Sequence, residues 1–192
     1  MPADSVGYAT LVVLDRLNPA ERIAFVLHDL FDVPFDEIAP VAGRSPEAVR
    51  QLASRARRRI RGVTTLAEDE LARQHSLVER FLAGLRSGDP KKPLDVLDPA
   101  FVVRADAAAA PAGVPPEVVG AEVWAKRAVE AARGARLARI AMVEGSVGLI
   151  VAPRGRLSRV LEFTFANGRI AAMEVIGDPE RLQVIEVGAL GA

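Results

Sequence analysis

Gly43-Arg44-Ser45-Pro46-Glu47-Ala48-Val49-Arg50-Gln51-Leu52-Ala53-Ser54-Arg55-Ala56-Arg57-Arg58-Arg59-Ile60-Arg61 reads as one helix with both boundaries written into it. Ser45 is an N-cap, and Pro46 stands in the first turn, where its missing N–H costs nothing. Glu47 puts an acid at the positive end of the helix dipole. Gly43 closes whatever precedes, since glycine adopts the left-handed conformation of a helix end most cheaply. Between Arg44 and Arg61 stand seven arginines and one acid, a local charge of +6; the rest of the first 62 residues carries two arginines and seven acids, −5. A short helix, a turn with Gly and a longer helix is the order of a helix-turn-helix, whose second helix enters the DNA major groove. Arginine supplies bidentate contacts to guanine edges and phosphates. The competing reading is a solvated helix end, because C-termini favour cations anyway; the helix-turn-helix spacing argues for DNA.

N-terminal to this stretch the pattern is also helical. Ser5 caps a helix through about Arg16, and Asn18-Pro19 starts a second from Ala20 to Phe31, with Ile23, Val26, Leu27 and Leu30 as one buried face. Pro34 opens a short third helix containing Phe35, Ile38 and Val41.

C-terminal to it the grammar changes near Gly62-Val63-Thr64-Thr65. Leu66 to Leu85 is an amphipathic helix ended by Ser87-Gly88-Asp89-Pro90, then come a short helix around Leu94 and a strand from Phe101 to Ala105. The Ala/Pro-rich run from Ala107 to Pro116 is a loop, because proline breaks what alanine favours. Gly120 to Gly134 is helical. Four strand-like runs follow, Ala135 to Val143, Ser146 to Ala152, Leu157 to Ala166 and Arg169 to Ile176, with Asn167-Gly168 as a two-residue hairpin. The expected fold is a small all-helical helix-turn-helix domain followed by an α+β cone built on a curled antiparallel sheet. The expected division is 1–62, a linker at 63–65, the cone at 66–178 and a tail at 179–192.

Composition narrows the function. With 192 residues, 50% hydrophobic and 26% charged, the chain has material for a real core, and its net charge of zero gives no global pull toward nucleic acid or membrane. Zero Cys excludes disulfides, thiolate metal sites and cysteine nucleophiles; two His leave little for a metal centre. No metal or cofactor is expected. No apolar run is long enough to span a bilayer and Met1-Pro2-Ala3-Asp4 is no signal peptide, so the expected compartment is the cytoplasm.

The runs Leu17-Asn18-Pro19-Ala20-Glu21-Arg22, Val26-Leu27-His28-Asp29, Pro34-Phe35-Asp36-Glu37-Ile38-Ala39 and Gly43 to Gln51, with Arg55-Ala56-Arg57, resemble region 4 of extracytoplasmic-function sigma factors over about residues 5 to 62. The resemblance implies recognition of the −35 promoter element and docking on the RNA polymerase β flap. By position, Arg44, Ser45, Glu47, Ala48, Arg50 and Gln51 would face bases or nearby phosphates, and Arg55, Arg57 and Arg58 the backbone further along. Region 2, which precedes region 4 in that family, is expected to be absent from this chain.

Residues 66 to 178 resemble the SnoaL-like, or nuclear-transport-factor-like, domain that one subgroup of these sigma factors carries after region 4. That subgroup shows Asp-Gly-Gly-Gly-Lys after the first strand and Asn-Pro-Asp-Lys-Leu after the last. Here the first reads Asp106-Ala107-Ala108-Ala109-Ala110, without glycines or lysine, and the second Asp178-Pro179-Glu180-Arg181-Leu182. Asp106, Asp178, Pro179, Glu180, Arg181 and Leu182 are the expected interdomain contact. Phe101, Trp124, Phe163, Phe165 and Met173, with Glu144 and Glu162, either line a pocket or fill the core. No His–carboxylate pair is evident, so no catalytic residue is assigned and the chain is not expected to be an enzyme. A small-molecule-binding protein or enzyme with a vestigial DNA-binding domain is the alternative, and a regulator occupying polymerase without region 2 is a third reading.

Overall fold

The structure, a computed structural model, describes residues 3–62, 64–110, 113–127 and 134–190, with side chains from Gly7 onward. Helix begins at Ala3, so Ser5 stands inside the first helix and not at its cap, which corrects that expectation; parts of the 63–65 linker, the Ala/Pro loop, the 120–134 helix and the 179–192 tail lie outside the described residues.

Helix α1 (Ala3–Arg16) is followed by α2 (Pro19–Phe25), where Asn18 Oδ1 accepts from the Glu21 N–H at 2.9 Å. The chain then widens into a π-turn over Val26–Leu30. That turn takes more residues than a 3.6-residue period allows and rotates the apolar face out of step. The expected buried face is corrected accordingly: Ala24 and Phe25 are buried, whereas Ile23 and Leu30 are exposed. Helix α3 (Phe35–Ala42) ends at Gly43, whose φ of 60° is the left-handed cap, and Ser45 Oγ accepts from the Ala48 N–H at the start of α4 (Pro46–Arg61). Ala24, Ile38, Val49 and Ala53 form the small core that fixes α2, α3 and α4 together.

Helix α5 (Glu68–Arg86) leads through a 3₁₀ turn (Lys92–Val96) into β1 (Leu97–Ala105), β2 (Glu117–Val119) and α6 (Ala121–Ala125). Then come β3 (Ala138–Val143), β4 (Ser146–Val151), β5 (Arg159–Ala166), β6 (Arg169–Ile176), α7 (Pro179–Val184) and β7 (Val187–Gly188). They make one seven-stranded sheet ordered β2-β1-β6-β5-β4-β3-β7. The sheet is mixed and not wholly antiparallel, because β6 returns alongside β1 in the same direction. Hairpin signals report only neighbours in sequence, so this long-range pairing leaves no local mark. Asn167 and Gly168 both have positive φ, the expected tight hairpin, and Glu144-Gly145 makes the same kind of turn without the Asn-Gly signature.

Alternate residues of the strands serve opposite faces. On the concave face Phe101, Leu149, Phe163 and Met173 pack with Phe81 and Leu85 of α5 and Trp124 of α6. Phe81 stacks on Trp124 and Phe101 meets it edge-on, at 5.5 and 5.6 Å between ring centres. On the convex face Ala141, Val143, Ile150, Val160 and Ile176 are covered by α1, by Ala56 and Ile60 of α4, and by residues between Leu182 and Ala189. Polar contacts fasten the same layer. The Tyr8 hydroxyl donates to the Ala152 carbonyl, and Arg16 donates to the carbonyls of Leu182 and Gln183 at 3.0 and 2.8 Å. Gly188 lies so close to Gly62 that a Cβ on it would stand 2.5 Å from the Gly62 backbone.

Candidate functional site

Helix α4 turns Val49, Ala53, Ala56 and Ile60 inward, so spacing alone places Arg50, Gln51, Ser54, Arg55 and Arg58 on the opposite, exposed face. Arg44, Ser45 and Glu47 are exposed at its start and Ala48 is half-buried. The Ser45 hydroxyl is engaged by the cap. Arg50 Nη1 lies 2.8 Å from Glu47 Oε2, and its guanidinium stands 5.4 Å from the centre of the Phe35 ring. Both partners of that ion pair are well solvated, so it holds Arg50 weakly and a phosphate or base edge can replace Glu47.

The seven arginines divide by partner. Arg57 leans off the exposed face, its Nε 3.0 Å from Asp29 Oδ1 without the alignment of a hydrogen bond. Arg59 pairs at 2.8 Å with Glu21, which is only 2% exposed. A buried carboxylate left alone is costly, so Arg59 is fixed as the clamp between α4 and α2. Glu21 and Arg59 are 38 residues apart, and no local pattern pairs them. Arg44, Arg55, Arg58 and Arg61 form no ion pair among the described residues and make the free cationic edge.

At the other end of the chain the two motifs flanking the sheet meet. Asp106 Oδ2 accepts from the N–H groups of Gly177 and Asp178, both at 2.9 Å, while its Oδ1 accepts from Ala109 at 2.8 Å. Burial pushes the Asp106 carboxyl upward, but these backbone donors outweigh it and the net shift is down. Asp178 caps α7 by accepting from Glu180 and Arg181, and Arg181 pairs with Glu174 at 2.6 Å. Pro179 and Glu180 form the first turn of α7, and Leu182 joins the convex-face core beneath α1.

The concave face encloses a cavity of about 280 Å³. Trp124 and Met173 line it, and Phe101, Phe163 and Phe165 sit in the core beside it. Glu144 and Glu162 do not line it. Glu144 is in the β3–β4 turn, where its carboxylate accepts from the Glu186 N–H, and Glu162 points to the convex side with Val160. Burial raises the Glu162 carboxyl, and the nearby charges of Glu174 and Glu144 add to the rise. His75 is half-exposed on α5 and does not line the cavity; His28 packs on Phe35 with Nδ1 3.0 Å from the Val33 carbonyl. Among the described residues no group of three or more His, Cys, Asp or Glu could hold a metal ion, and no helix is long and apolar enough to cross a membrane.

Residues 9–60 match the family described as Sigma-70, region 4. The chain is 31% identical to the ECF RNA polymerase sigma factor SigJ of Mycobacterium tuberculosis H37Rv, over 93% of this chain and 62% of SigJ. It is 40% identical to the probable ECF RNA polymerase sigma factor SigI of M. tuberculosis CDC 1551, over 54% of this chain and 36% of SigI. It thus spans less than two thirds of either relative. Among solved structures, a crystal structure of M. tuberculosis SigJ aligns with 88% of this chain and 62% of its own, at 30% identity and a TM-score of 0.47. A SnoaL-like protein from Burkholderia thailandensis aligns with 57% of this chain and 96% of its own, at 15% identity and a TM-score of 0.42.

Proposed function

We propose that the chain, whose residues 9–60 match the sigma-70 region 4 family and which is similar to an ECF RNA polymerase sigma factor over 93% of its length, acts in transcription initiation, reading the −35 promoter element through α4 and docking on RNA polymerase at the β flap. The observation that carries the reading is the exposed face of α4, where Arg50, Gln51, Arg55 and Arg58 stand behind the tight turn at Gly43. Arg44, Ser45, Glu47, Ala48, Arg50 and Gln51 meet bases or flanking phosphates, and Arg55 and Arg58 follow the backbone. Arg57, leaning toward Asp29, contributes less than its neighbours. Residues 1–62 form the DNA-reading unit, 63–65 the link and 66–178 a regulatory, non-catalytic cone. The 179–192 segment joins them through Leu182. The protein works in the cytoplasm, where its partners are.

Binding of a −35-like duplex followed by fluorescence anisotropy at several salt concentrations tests this. Arg50→Ala costs about 1–3 kcal/mol if Arg50 reads a base, and each phosphate-contacting arginine removed lowers the slope of log K against log[salt] by about 0.9. Arg55→Ala and Arg58→Ala each lower the slope, whereas Arg59→Ala leaves it unchanged and weakens folding instead. Equal slopes for Arg55→Ala, Arg58→Ala and the parent chain would sink the assignment.

A further inference from the structure

The cavity in the concave face has a chemical asymmetry that the DNA-reading assignment does not use, and the inference drawn from it stands independently of that assignment. Its 280 Å³ lies just under the roughly 300 Å³ at which small-molecule sites begin. The body is hydrocarbon: Phe81, Leu85, Trp124, Leu161, Met173 and Val175 are among its walls. Among the described residues two charged side chains share the lining, Arg127 just beyond α6 and Arg159 at the start of β5, and no carboxylate does. Strand parity explains Arg159: Val160 faces the helices, so Arg159 and Leu161 face the cavity.

Both guanidiniums are exposed, and neither forms an ion pair among the described residues. Arg73, Arg104 and Arg181 of the same domain are held by Asp69 and Glu70, by Glu117 and by Glu174, whereas Arg80, Arg136, Arg154 and Arg156 are exposed without an ion pair among the described residues; what sets Arg127 and Arg159 apart is their place on the cavity lining. A small apolar chamber whose described lining carries two unpaired cations and no acid is complementary to a molecule with a hydrocarbon body and one anionic head.

We infer that this cavity binds a small carboxylate with an apolar chain or ring, the hydrocarbon against Trp124 and Met173 and the carboxylate at Arg127 and Arg159. The chain's single tryptophan is in the cavity wall, so its fluorescence reports occupancy directly. Octanoate, octanol and octylamine are titrated into the full chain at neutral pH. Octanoate is expected to give a saturable change and to bind more tightly than octanol, with octylamine weakest. The double variant Arg127→Gln/Arg159→Gln raises the octanoate Kd about tenfold and leaves octanol unchanged, the size of one charge-assisted contact. Because both arginines are on the surface, the variant folds as the parent does; a filling variant, Val175→Phe, abolishes the response to all three compounds. The inference is overturned if octanoate gives no saturable change, or if octanoate and octanol bind equally and the double variant alters neither.

Discussion

The two faces of the sheet use the same strands to opposite ends. On the convex face Ile150, Val160 and Ile176 are wholly buried beneath α1, the end of α4 and the segment from Leu182 to Ala189, and the layer is closed. On the concave face Leu161, Met173 and Val175, each one residue away from a convex-face neighbour, border a cavity of 280 Å³. Close packing holds α1 and the end of α4 in a fixed seat; incomplete packing leaves space that can be occupied. One parity of each strand fixes the architecture and the other is available for chemistry.

Large-to-small substitution should expose the contrast most strongly. Ile176→Ala on the closed face is expected to cost about 3–4 kcal/mol, and Met173→Ala, whose side chain already borders open space, about 2. Urea denaturation with matched m-values measures both, and a larger loss at Met173 than at Ile176 would erase the distinction. Enlarging side chains sharpens it from the other direction. Val160→Phe should destabilise by about 1–3 kcal/mol through overpacking, while Val175→Phe, growing into the cavity, should stay within about 1.

Two carboxyls give the next effect, and they have opposite signs. The Asp106 pKa is lowered in the folded protein, so its contribution is fully present above the ordinary aspartate range and is lost as pH falls through the depressed folded value. Asp106→Asn should therefore cost about 1–3 kcal/mol at neutral pH, with the difference from the parent closing in acid. Glu162 is raised, so its ionised form opposes folding above the ordinary glutamate range. Glu162→Gln should stabilise slightly at neutral pH, and the gain should vanish as pH falls. Thermal melts across pH 3–7 separate the two, and parallel curves for both variants would refute the assignment. Smallest of all, Arg104→Ala on the solvated Arg104–Glu117 pair should change stability by less than about 1 kcal/mol in the same melts.

Much of the helical segment could be read in advance because its boundaries are chemical. Asn18-Pro19, Ser45-Pro46 and Gly43 each do locally what their side chains and φ preferences dictate. What escaped is what depends on distance. The Glu21–Arg59 pair, the parallel β1–β6 seam and the docking of α1 on the sheet join residues with no local signal. Strand β2 has three residues, too few to show alternation, and the helix expected over Gly120–Gly134 is seen among the described residues only from Ala121 to Ala125 and around Gly134 and Ala135. The cavity was legible in part. Trp124 and Met173 were identifiable as large apolar residues, but Glu162 and Leu161 differ by a single step of strand parity, which reverses the face each serves.

The fastening of the convex layer also sets an order of events during synthesis. Tyr8 meets Ala152 across 144 residues and Arg16 meets Gln183 across 167, and Ile60 receives its backbone partner from Ala189. Helices α1 to α4 leave the ribosome long before the surface they rest on exists, so the helical segment must wait, with its apolar underside uncovered, for the sheet and the residues after it. Contacts of such long sequence separation form late and slowly. Pausing translation before Leu182 should leave α4 emerged but unseated, a vulnerable interval that a protease or chaperone would detect.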